Sequence, residues 1–322
     1  MTCRFSKSAV CFSAFKFKVE MIVEVLCAVV GAVVKTAADF VLSNLCRTDK
    51  KQEVLKILQK NTRSVEVIDL KKINIIEHPA FVKNLVSSIA DKDGGLWVMG
   101  APAGCGKSTY LQCAIYKFRE DKDNKHRNVF ILKGVKNFKD HGIHKALTIP
   151  LDSQLSTYLP EGTVIIIDQV DSQSDRIDPL MEEYIVKLAA ESRNKKVFSI
   201  LVSVNDSSVM LKILKLNQGE KIKDVCKPEC IQWTKDQADM FIDKAFKGLS
   251  LTDRNRVLVA SQIDAKYFVP SMIWSASKDY HVKGDIEIVL TNMEGMRKSK
   301  KEQWDKYGAN LKDYQFNRTV IE

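Results

Sequence analysis

At 322 residues, with 45% hydrophobic and 28% charged residues, the chain has room for more than one folded unit and is neither fibrous nor wholly disordered. Its 50 Lys and Arg against 40 Asp and Glu leave a net charge of +10, which admits an acidic partner such as nucleic acid or anionic lipid, although the excess is spread along the chain. Eight scattered cysteines in a chain too long to need staples exclude a disulfide scaffold and point to free thiols in a reducing, intracellular compartment.

Residues 1–19 carry Arg4, Lys7, Lys16 and Lys18 and no acidic residue, the pattern of an organelle-targeting peptide or of a basic arm. In residues 20–44, Glu20, Glu24, Gly31, Lys35 and Asp39 share one helical stripe, while Ile22, Leu26, Val29, Val30, Val33, Ala37 and Val41 lie opposite. The uncharged stretch from Val25 to Val34 is too short for a membrane span, which needs about 20 apolar residues. Residues 1–45 therefore read as a basic arm and an amphipathic helix that lies in a membrane interface, serves as a targeting segment or packs on partner helices. Residues 46–74 read as a charged linker or stalk with an embedded helical pattern at Val54, Leu55 and Leu58.

The chain re-enters a folded unit near residue 75. A helix from Pro79 to Ala90 precedes the apolar strand Leu96 to Met99, and then comes Gly100-Ala101-Pro102-Ala103-Gly104-Cys105-Gly106-Lys107-Ser108-Thr109. From Ala101 to Ser108 the spacing is that of a Walker A phosphate loop, with Ala in the first glycine position. Gly104 and Gly106 let successive N–H groups curl around phosphate, Lys107 supplies a point charge, and Ser108 places a hydroxyl on Mg²⁺ at the start of a helix. That helix shows its period at Leu111, Ala114, Ile115 and Phe118.

Strands and helices then alternate. Strands are expected at Asn128 to Leu132, Thr163 to Ile167, Val197 to Val204 and Cys230 to Trp233, and helices near Ser153 to Tyr158, Asp178 to Ser192 and Val209 to Leu216. Such alternation implies a three-layer α/β/α parallel sheet over residues 75–234 with its ligand at the carboxyl ends of the strands. From Thr234, which opens a capping box with Gln237, the pattern is all helical: Thr252 to Ser261, Pro270 to Ser277 and Asp285 to Lys300. Residues 235–295 form a small helical lid, and 296–322, with Arg297, Lys298, Lys300 and Lys301, a basic C-terminal tail. His141 and His144, and Cys226 and Cys230, have no neighbours to complete a metal site and read as structural or surface residues.

The run Thr163 to Ile167 ends in Asp168, a Walker B pattern whose carboxylate holds the Mg²⁺ water shell, and the next strand ends at Asn205, placed to orient an attacking water. With these elements in this order, residues 75 to 290 resemble P-loop ATPases of the AAA+ class and their STAND relatives, in which the Asn205 position is called sensor 1. The segment from Thr252 to Leu290, with Gly284-Asp285, is similar to the lid of origin-recognition and clamp-loader ATPases. The resemblance implies ATP and Mg²⁺ as cofactors and an ATPase that couples nucleotide to conformational change or assembly with further copies of the chain or a protein client. A membrane surface is an additional expected partner; a nucleic-acid-dependent ATPase and a scaffold that binds nucleotide without hydrolysing it are the alternatives. Departures bear on turnover. Gln169 stands where the family has Glu, and a carboxamide cannot take a proton, so hydrolysis is expected to be weak unless Asp171 serves as base. Glu287 stands at the sensor 2 arginine, with Arg254 and Arg256 the candidates to compensate, and no Arg lies between Arg193 and Arg254.

Overall fold

The computed structural model describes residues 35–36, 47–61, 79–133, 142–170, 179–216, 222–225, 231–264, 267–312 and 314, and divides the chain into residues 1–53 and 54–322. In the first unit, residues 35–36 and 47–53 are helical and Lys50 pairs with Glu53 at 2.8 Å. The expected amphipathic helix over 20–44 lies, apart from those two residues, outside the described part. Among the described residues no helix is long and apolar enough to cross a membrane.

The second unit is built on five parallel strands: β1 (Gly95–Gly100), β2 (Val129–Lys133), β3 (Thr163–Asp168), β4 (Phe198–Val204) and β5 (Ile222–Asp224). Their order is β2-β3-β4-β1-β5. Every residue of β1, β3 and β4 is buried, as strands covered on both faces must be. Alternation sorts their side chains. Leu96, Val98, Ile165, Ile167, Val202 and Val204 face one apolar cluster; Trp97, Met99, Val164, Ile166 and Leu201 face the other.

Helix α1 (residues 54–61) lies on the first face, with Val54 and Leu58 fully buried. Its Asn61 side chain accepts from the Ile131 N–H at 2.8 Å and donates to the Ile131 carbonyl at 3.3 Å, so it pairs with edge strand β2 as a further strand would. The linker expected over 46–74 is therefore not a linker at residues 54–61, because two buried aliphatics and a strand-like amide fix it to the core. The second face is covered by α2 (Pro79–Ala90) and α3 (Lys107–Glu120), while α5 (Pro179–Lys195) and α6 (Ser207–Lys215) complete the first. Between β2 and β3 lie the short α4 (Gly142–Ala146) and, where a helix was expected near 153–158, a single 3₁₀ turn, Leu155–Thr157. The buried His144 bridges Tyr184 and the Ser153 carbonyl, both at 3.0 Å, a structural role.

The fifth strand differs from expectation. Ile222–Asp224 pairs with β1, whereas Trp233 makes only an antiparallel bridge to Phe268. Ile222 and Asp224 share the buried side of this edge strand and Lys223, on the other side, is half-buried over the Trp97 ring, while Ile231 and Trp233 are apolar because they fill the core and the lid.

The lid comprises α7 (Lys235–Ala245), α8 (Leu251–Ser261), α9 (Pro270–Lys283) and the first half of α10 (Ile286–Leu311), around Phe241, Ile242, Phe246, Val257, Ile273, Val289 and Met293. Both halves of the Thr234–Gln237 capping box are formed. The expected tail over 296–322 is corrected: α10 runs on as 26 residues to Leu311, about 39 Å of helix. Val289, Leu290 and Met293 belong to the lid, and Tyr307 and Leu311 are buried in the sheet core beside α6. The tail reads as basic because Lys298 and Lys301 are exposed, but its aromatic residues are what anchor it.

Candidate functional site

The ends of β1, β3 and β4 converge on one edge of the sheet, and β4 is the hub. The Ala101 N–H donates to the Val204 carbonyl at 3.2 Å, tying the start of the phosphate loop to β4. On the other side, the Val170 N–H donates to the Ser203 carbonyl at 3.0 Å. The buried Ser203 hydroxyl donates to Asp168 Oδ1 at 2.6 Å and accepts the Gln169 N–H at 2.8 Å. In register Met99 faces Ser203, and Ile167 faces Val202, so the ends of β1 and β3 stand two strand spacings apart, about 10 Å, with Asn205 following β4 between them.

The loop sorts its polarity. Gly104 and Gly106 have φ of 93° and 90°, a left-handed turn that side chains resist, and Gly106 sits at the N-cap of α3 without a side chain to cap it. The carbonyls are taken. Buried Lys107 donates to those of Ala101 and Pro102, the latter at 3.0 Å; Lys300 donates to Ala103 at 3.0 Å; the Ser271 N–H donates to Gly104 at 3.2 Å; and Tyr110 N–H donates to Gly106 at 2.9 Å. The N–H groups of Gly104, Cys105 and Gly106 have no acceptor among the described residues. Oxygens turned to internal donors and amides left over at a helix N-terminus make an anion-binding concavity.

Order, loop and carboxylate together define the architecture. The chain has a partial likeness to several solved structures. It is similar to the Walker-type ATPase of Pyrococcus abyssi, with a TM-score of 0.47 and 12% identity over 74% of this chain and 77% of that one. It is also similar to Cdc6p of Pyrobaculum aerophilum (0.43, 14%, 65% and 62%) and to Drosophila ORC bound to DNA (0.42, 11%, 74% and 65%). These likenesses concern the fold alone. No protein-family model and no curated protein matches the chain.

The residues present fit a nucleoside triphosphate with Mg²⁺: unclaimed amides and Lys107 for phosphate, and the hydroxyl of Ser108 with the carboxylate of Asp168 as hard oxygen donors for the metal. Ser108 and Thr109 are partly buried in the first turn of α3, and Asp168 is buried. Asp171 lies outside the described residues. Gln169 is exposed with φ of 62°, a left-handed conformation in a residue with a side chain. Cys105 is a free, buried thiol pushed up to about 11 by burial, so it is no nucleophile.

The arginines proposed to replace sensor 2 are committed elsewhere. Arg256 holds Glu287 in a two-pronged pair, 2.7 Å on each side, and Arg254 pairs with Asp243. The hydrogen bond from Arg256 holds the Glu287 carboxyl below its usual range. Two residues escaped sequence reasoning. Ser203 had a signal, one of two hydroxyls in a strand that carries no charge; Lys300 had a weaker one, a basic run able to touch phosphate but read as a solvated helix end.

Proposed function

We propose that the chain is a Mg-ATP-binding NTPase of the AAA+/STAND-like kind, in which nucleotide binding or slow hydrolysis biases the lid or the assembly of the protein. The observation that carries the reading is the loop whose carbonyls at 101–104 and 106 are engaged by donors of the chain while the amides at 104–106 are left for an anion. Lys107 would hold the phosphates, Ser108 and Asp168 the metal, and Asn205 a water. Bound Mg²⁺ supplies positive charge that offsets the charge on the phosphates. Ser203 holds the Asp168 carboxylate in place by a charge-assisted hydrogen bond.

The test is nucleotide titration of the full chain followed by fluorescence. Wild type is expected to bind Mg-ATP, and Lys107→Ala to lose at least about tenfold in affinity; wild-type affinity in that variant rejects the reading. A second reading, a scaffold that binds nucleotide without turnover, is favoured by Gln169, whose amide offers no base. If wild type turns over briskly and Gln169→Glu adds nothing, the scaffold reading fails; a large gain in Gln169→Glu supports it.

A further inference from the structure

The point at which α10 touches the phosphate loop is narrow and charged. Lys300 sits near the middle of the helix, between the lid residues Val289, Leu290 and Met293 and the core residues Tyr307 and Leu311. Its ammonium donates to the Ala103 carbonyl at 3.0 Å and to Gln303 Oε1 at 3.3 Å. An ammonium has three donors, and the third has no acceptor among the described residues. Gly104, next in the loop, has no room for a side chain: a Cβ there would collide with Ser271 Oγ and lie 3.4 Å from Lys300 Nζ. The loop is thus approached by the lid at Ser271 and by α10 at Lys300, beside amides that lack an acceptor.

Resting on the nucleotide-binding reading, we propose that Lys300 is a phosphate ligand of this site, delivered by the chain's own C-terminal helix, and that it distinguishes a nucleoside triphosphate from a diphosphate. The two arginines nearest in role are tied to Glu287 and Asp243, so among the described residues Lys300 is the cation beside the lid that meets the loop. Its ammonium lies at the exposed Ala103, at the mouth of the loop, whereas Lys107 is buried against Ala101 and Pro102. A charge at the mouth acts on the outermost phosphate. With a triphosphate bound, the unused donor pairs with phosphate and holds α10 against the loop; with a diphosphate it keeps only the carbonyl.

The experiment measures affinities of full-length wild type, Lys300→Ala, Lys300→Arg and Lys301→Ala for ADP and for the imido analogue of ATP, both with Mg²⁺, together with hydrogen exchange of residues 296–304. Lys301 is the control, a neighbouring charge paired instead with Asp305 at 3.2 Å. Lys300→Ala is expected to lose about tenfold in analogue affinity with ADP affinity held, and to lose the analogue-induced protection of α10. Lys300→Arg keeps both, and Lys301→Ala matches wild type. An unchanged analogue-to-ADP ratio in Lys300→Ala, an equal loss for both nucleotides, or the same effect from Lys301→Ala overturns the inference while nucleotide binding stands. Wild type that binds neither nucleotide overturns the site reading and this inference together.

Discussion

Ser203 shows how much one hydroxyl can fix. It serves Asp168, Gln169 and, through its carbonyl, Val170, so the last residue of β3 and the two that follow take their positions from one residue of β4. Ser203→Ala leaves a buried carboxylate and an N–H without that partner, a cost of about 1–3 kcal/mol in urea unfolding. On the proposal that Asp168 holds the metal, nucleotide affinity in that variant is expected to fall with Mg²⁺ present and to stay near wild type with the metal chelated. Beneath the loop, Cys105 gives a pH signature. Burial raises its folded value from 9.0 to about 11, so the folded state holds its proton more tightly than the unfolded chain. The stability this represents is complete below pH 9 and is lost as pH climbs towards 11. The same shift leaves about a hundredfold less thiolate than an ordinary cysteine, so alkylation of native protein near neutral pH should proceed at other thiols and reach Cys105 only on unfolding.

Among the elements, α10 carries the largest consequence. The Tyr307 ring is buried at the end of β1, its hydroxyl donating to Met210 Sδ at 3.2 Å, and Gly100 is bare of a side chain because a Cβ there would collide with both. Tyr307→Ala is expected to cost about 3 kcal/mol in urea unfolding. Tyr307→Phe, which keeps the buried ring and gives up a bond to a weak sulfur acceptor, should cost less than Tyr307→Ala. These elements also mark where sequence was informative. β1, β3 and β4 were legible because strands buried on both faces read as unbroken apolar runs, and α7 because Thr234 and Gln237 cap it. β5 was not, since an edge strand with Lys223 and Asp224 lacks that run. Neither was the hold of Asn61 on β2, because a side-chain amide that mimics a strand leaves no periodic trace. Of the candidate site, Lys107, Ser108 and Asp168 are proposed from spacing alone; Ser203 and Lys300 depend on partners 35 and 197 residues away, which no local pattern encodes.

At the scale of the second unit, three apolar clusters are joined by one helix. α10 enters the lid cluster through Val289 and Met293 and the first-face cluster through Tyr307 and Leu311, while Trp304 packs between the lid and the second face. The lid therefore has no independent seam along which to separate. Far-UV dichroism and tryptophan fluorescence, which reports Trp97 in the core and Trp233, Trp274 and Trp304 in or beside the lid, should trace one superimposable urea transition. Two offset transitions would show that the lid folds alone.

The path of α10 has a mechanical corollary. From Leu311 back to Lys300 is 11 residues of unbroken helix, about 17 Å of stiff rod. Tension applied near residue 311 would first strain the seat of Tyr307 and then reach the Ala103 carbonyl, so a tether at that end acts as a lever on the glycine loop.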